Sequence, residues 1–111
     1  MNFPEPTFDR EGYPTEKSLE AIKEFPWDRP VDLMDMVEYM WWNSGTLFVK
    51  TKEPGKTVYT LHTGGWSGNE DIIDALKSNS MFWALCWVSS RRGGHFEFEI
   101  TDKHFGTVNS K

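Results

Sequence analysis

Residues 81–101 read MFWALCWVSSRRGGHFEFEIT, and their patterning decides the fold. From His95 to Thr101 polar and apolar residues alternate: Phe96, Phe98 and Ile100 point one way, Glu97 and Glu99 the other. Such alternation marks a half-buried strand. Met81 to Ser89 is apolar on both faces, which predicts a central strand covered on both sides. The turn between them is Arg91-Arg92-Gly93-Gly94. Loops of two or four residues both place Trp83, Leu85 and Trp87 on the face of Phe96, Phe98 and Ile100, with Cys86 opposite Glu99. A three-residue loop would set Trp87 beside Glu99, so the pattern predicts an even loop.

Working towards the N-terminus, Ser67 and Glu70 have capping-box spacing and open a helix to about Lys77, with Ile72, Ile73 and Leu76 inward. Before it, Thr46 to Lys52 and Thr57 to Thr63 are rich in β-branched and aromatic residues. The turn Glu53-Pro54-Gly55-Lys56 joins them into a hairpin that sets Phe48 opposite Leu61. Thr15 caps a helix to about Phe25, with Leu19, Ile22 and Phe25 as its buried stripe. Pro30 starts a second helix, Leu33, Met36, Val37 and Met40 face inward, and it ends near Asn43–Gly45. Residues 1–14 hold three prolines and read as an extended arm that docks through Phe3, Phe8 and Tyr13.

The expected architecture is therefore α+β, in the order ααββαββ. It is a single domain of residues 1–111, with the arm at 1–14, an acidic helical segment at 15–45 and the sheet plus one helix at 46–105. A right-handed crossover makes the second and third strands parallel, which predicts a four-stranded mixed sheet in the order 1-2-3-4 packed with three helices. That arrangement brings the loop Gly64–Ser67 and the turn Arg91–His95 to one end of the sheet, where ligands of open sheets bind.

Composition narrows the function. The 111 residues carry 17 acids against 12 bases, and all of the excess lies in residues 1–45, whose net charge is −6. A nucleic-acid binder needs a basic face, which is missing, so nucleic acid is an unexpected partner. The longest apolar run, Met81 to Val88, falls far short of the roughly 20 residues of a membrane helix. One cysteine and no signal-peptide pattern place the chain in the cytoplasm. Six Trp, eight Phe and three Tyr are many for one small core, and such rings also anchor interfaces.

The segments Gly65-Trp66-Ser67-Gly68-Asn69-Glu70, Met81-Phe82-Trp83 and Arg92-Gly93-Gly94-His95 together resemble a family of small uncharacterised proteins of tailed phages and prophages. The resemblance covers about a third of the chain and brings no activity with it. It implies a phage-encoded accessory protein working in a bacterial cytoplasm.

The candidate binding residues are Trp66, Arg91, Arg92 and His95. Trp66 precedes the helix cap, and its staple position is taken by Asp71, so the ring either packs against a neighbouring loop or stands exposed to bind. Arg91 and Arg92 sit on a turn, where they either solvate it or fork onto an anionic group. The glycine-rich loop lacks the lysine of a P-loop, and Glu70, Asp71 and Asp74 disfavour an anion at that helix start. Catalysis finds little footing. Cys86 lies among apolar neighbours, which raises a thiol's pKa and disarms it. His62, His95 and His104 lack metal-ligand spacing, so neither metal nor cofactor is expected. A dispersed set of His62, Ser67 and His95 would converge only if the fold brought it together.

These features favour a non-enzymatic module that binds a host or phage protein, for instance to block a host function or defence. The alternative is a small enzyme or ligand-binding protein using the sheet end. A third is a DNA mimic built on Glu16, Glu20, Glu24, Asp28 and Asp32, which recur every four residues. Pro26 and Pro30 interrupt that ridge. Homodimer formation through the edge strands stays open, although Lys50, Lys52, Glu97 and Glu99 disfavour it.

Overall fold

A computed structural model describes residues 2–105 of the chain. Met1 of the arm and residues 106–111 lie outside the described part. The first departure from expectation lies in the deciding stretch itself. Residues Ser80–Cys86 form a helix, α5, and only Trp87–Arg91 is a strand, β3. Asn79 starts that helix, its side chain accepting from the Phe82 amide. Phe82 and Cys86, one helical turn apart, are buried, while Met81 and Ala84 face outward. A short apolar run satisfies a buried strand and a packed helix equally well, and the cap selects the helix.

The sheet contains β1 (Phe48–Glu53), β2 (Lys56–His62), β3 and β4 (His95–Thr101), in the order β1-β2-β4-β3. All three pairings are antiparallel, so the mixed 1-2-3-4 sheet with its parallel crossover is corrected. The helices α4 (Ser67–Ser78) and α5 carry the chain past β2 to the far edge. There β3 turns back, and β4 fills the place beside β2. Burial explains the choice: Phe98 and Ile100 of β4 are fully buried, whereas Trp87 and Val88 of β3 are exposed and suit an edge. Phe48 pairs with Leu61 as expected.

The β3–β4 loop is also corrected. Arg91 pairs with His95, leaving a three-residue loop, Arg92-Gly93-Gly94. A bulge between Trp87 and Ser89 then restores the register, so that Trp87 lies opposite Phe98 instead of Glu99. One extra residue in the strand cancels the odd loop, a device that pattern matching does not foresee. Cys86 belongs to the helix and has no strand partner.

Six helices, not three, occur among the described residues: α1 (Glu16–Lys23), α2 (Pro30–Met40), the single turn α3 (Ser44–Leu47), α4, α5 and α6 (Asp102–Phe105). Thr15 caps α1 through the Ser18 amide, and Pro30 opens α2. They cover the sheet face formed by Thr57, Tyr59, Leu61, Phe98 and Ile100, all buried. The opposite face, with Val58, Thr60, His62, Glu97 and Glu99, is only half-buried. The result is one α+β domain. Among the described residues no helix is long and apolar enough to cross a membrane.

Two buried asparagines tie the elements together. Asn79 donates to the carbonyls of Ile22 and Phe25, each at 3.0 Å, and so joins the end of α1 to the start of α5. Asn69 on α4 accepts from the Trp42 amide at 2.9 Å and donates to the carbonyls of Trp42 and Thr63. It therefore clamps the end of α2 and the end of β2 onto one helix. The arm docks through Phe3, set edge-on to Tyr39, and through Tyr13, while Phe8 is exposed.

Candidate functional site

The chain leaves β2 through Thr63-Gly64-Gly65, and both glycines have positive φ. The Thr63 amide donates to the Gly94 carbonyl at 2.9 Å, so this loop and the β3–β4 turn meet at one end of the sheet. Antiparallel pairing of β2 with β4 brings them together, not a crossover. Gly94 has φ +77°, and a Cβ there would run into the Thr63 side chain. Glycine is required on both counts.

At this end His62 and His95 stand opposite each other on the open sheet face. Their Nδ1 atoms are 3.2 Å apart and the rings meet edge-on. A hydrogen bond across that gap needs one donor and one acceptor nitrogen, so the pair accommodates one Nδ1 proton, not two. The His62 carbonyl accepts from Trp41 Nε1 at 3.1 Å, which anchors the strand end to the core. Burial and the cationic forms of His62 and Arg91 hold His95 below the usual imidazole range, and Glu97 opposes them. A depressed imidazole pKa means that the unfolded chain binds the proton better. Stability is then complete above the ordinary histidine value and falls as the pH drops through it. The melting temperature is expected to fall between pH 7.5 and 5.5, and His95→Gln should flatten that fall. An equal slope in the variant would contradict the assignment.

The four candidate binding residues differ in their surroundings. Trp66 is half-buried and folded over Gly68, stacked on Tyr13 at 4.9 Å and tilted against Trp42 at 5.9 Å. It is the residue preceding α4, with no side-chain cap, and Ser67 is the first helical residue. The Ser67 hydroxyl donates to the Tyr13 hydroxyl at 3.2 Å. The ring is thus used to seat the arm. Arg91 and Arg92 are exposed at the hairpin, and His95 faces His62. Of the set His62, Ser67 and His95, the fold joins the two histidines, while Ser67 is engaged by Tyr13.

What reasoning from sequence missed is the tryptophan on the arginine hairpin itself. Trp87 is exposed and stacks on Trp83 of α5, with ring centroids 5.9 Å apart. Its Nε1 donates to Ser90 Oγ at 2.8 Å, which lays the indole along the strand. Lys77 of α4 sits 5.9 Å from the ring centroids of both Trp83 and Phe96. Met81 on α5 and Val88 next to Trp87 in the chain are exposed as well.

The chain matches no family model, no curated protein and no solved structure.

Thr63, Glu70, Ile73, Asp74, Lys77, Gly94 and Phe96 line an open groove of about 290 Å³. Its carboxylates come from α4. Cys86 is buried, and burial pushes its thiol up to about 12, so it is no nucleophile at neutral pH. Among the described residues no group of three or more His, Cys, Asp or Glu is placed to hold a metal ion. The acidic series is divided: Glu16 and Glu20 lie on α1, Glu24 and Asp28 follow it, and Asp32 on α2 is paired with Arg29 at 2.9 Å.

Proposed function

We propose that the protein is a non-enzymatic protein-binding module, a phage-type accessory protein that docks on a host or phage protein through the α5–β3 corner. One observation carries this reading: among the described residues, three exposed large hydrophobics, Met81, Trp87 and Val88, fall within eight positions of the chain, and Trp87 stacks on Trp83. Exposed tryptophans beside cations are the residue types that dominate interface energies. Lys77 beside Trp83 provides a cation and Arg92 on the adjoining turn another, so a partner that offers an apolar side chain within an acidic rim fits best. Blocking a host function or defence is the role such a module would serve in a bacterial cytoplasm.

Affinity capture from bacterial lysate tests it, with tagged wild type against Trp87→Ala. A single protein held at near-stoichiometric yield is expected, and Trp87→Ala should weaken that binding by about 2 kcal/mol, near thirtyfold. Trp66→Ala should bind normally wherever it folds. Equal capture by Trp87→Ala would overturn the surface.

A second reading has its own support. The groove between α4 and the β2–β4 end is close to the smallest size of small-molecule sites, about 300 Å³, and it gathers Glu70, Asp74 and Lys77. A small cationic ligand would suit it.

A further inference from the structure

We propose that His62 and His95 form a two-imidazole chelating site for a divalent transition-metal ion of the zinc(II), nickel(II) or copper(II) class. The two residues are 33 positions apart in the chain and directly opposite each other in the β2–β4 ladder. Their Nδ1 atoms are 3.2 Å apart. A Zn–N bond of about 2.0–2.1 Å puts two nitrogens on one ion about 3.3 Å apart at a tetrahedral angle, and about 2.9 Å apart at a right angle. The observed spacing lies between these values, and the ladder sets the two side chains directly opposite each other. Both rings turn from their edge-on arrangement to aim their lone pairs at one ion. Neutral imidazole suits exactly this group of metals, whereas magnesium and calcium prefer oxygen.

The surroundings define what kind of site it is. Both rings lie on the sheet face that no helix covers and are half-buried, so the ion has access and water can complete its coordination. With only two protein ligands the ion is held loosely and exchanges. Charged neighbours act in opposite directions: Arg91, paired with His95 on β3, repels the ion, and Glu97, two residues along β4 on the same face, attracts it. Because the chelate bridges β2 and β4, bound metal stabilises the fold. Because each ligating nitrogen must be free of its proton, acid releases the metal.

The test uses untagged protein and zinc chloride in a non-coordinating buffer at pH 7.5. In calorimetry one zinc per chain is expected, and His62→Asn and His95→Asn should each weaken binding by about tenfold or more. Arg91→Gln should strengthen it about threefold. His104→Asn should bind as wild type, because His104 is engaged with Thr101 beyond the end of the ladder. Imidazole nitrogen resonances of the wild-type protein provide a readout that needs no variant. Those of His62 and His95 should move together and saturate at one equivalent, while those of His104 stay in place. Absence of saturable binding, binding unchanged in His95→Asn, or movement of only one of the paired resonances would each overturn the site.

Discussion

Asn79→Ala is expected to cost about 3 kcal/mol of folding stability. The side chain is buried and makes three hydrogen bonds: it accepts from the Phe82 amide and donates to the carbonyls of Ile22 and Phe25. Alanine removes the cap of α5, worth about 0.5–2 kcal/mol. It also takes the side-chain donor from two buried carbonyls; that of Ile22 keeps the Phe25 amide at 3.3 Å, that of Phe25 loses this donor, and a buried polar group left unpaired costs about 1–3 kcal/mol. Total stability of a domain this size is about 5–15 kcal/mol, so the variant should be severely weakened. Urea denaturation measures it. Asn79→Asp keeps the cap but sets a buried carboxylate against two carbonyl oxygens, so it should cost at least as much as alanine. A loss below about 1 kcal/mol for alanine would mean that α1 and α5 are not joined through this residue.

Asn69→Leu is expected to cost a similar amount, again about 3 kcal/mol, with a more local signature. Asn69 bonds both backbone groups of Trp42 and the Thr63 carbonyl. Leucine conserves volume but takes this partner from the Trp42 amide and carbonyl, while the Thr63 carbonyl keeps the Trp66 amide at 3.1 Å. Trp42 and Thr63 should both loosen, and with them the stack of Trp66 on Trp42 and the contact of Thr63 with Gly94. Amide exchange should therefore rise at residues 41–43 and 63–65 before it rises in β4. Uniform loosening of the whole domain would contradict the clamp.

Both predictions concern residues whose roles could not be read in advance. An asparagine is polar and usually exposed, and nothing in the chain near Asn79 marks Ile22 and Phe25 as its partners, more than fifty positions away. What could be read was local. The Thr15 cap, the Pro30 start, the Phe48–Leu61 pair and the alternation of β4 follow from near-neighbour rules, and all are present. The sheet order was not local. It depended on whether Met81 to Cys86 was strand or helix, and an apolar run of that length satisfies either. The bulge at Val88 compounded the error, because it lets a three-residue loop serve the register that an even loop was expected to serve.

The candidate site divides in the same way. Sequence places the loop Gly64–Ser67 and the turn Arg91–His95 at one sheet end; the bond the structure shows there runs from Thr63, just before that loop, to Gly94, through a different topology. Trp66 was singled out because its staple position holds Asp71, but its actual partners, Tyr13 and Trp42, lie far away in the chain. Trp83 and Trp87 were assigned to one face of a buried strand. As residues of a helix and of the edge strand after it, they stack at the surface. The signal was present in the four-residue spacing of the two tryptophans, which reads as a neighbouring pair once the segment turns helical.

Photo-crosslinking tests the protein-binding account most directly. A photoreactive phenylalanine analogue is placed at Val88, in the exposed corner, and separately at Val49, exposed on the opposite edge strand. Both proteins are irradiated in bacterial lysate. The account predicts one discrete adduct from position 88 and none from position 49. An adduct of equal yield from both positions, or from position 49 alone, would contradict it.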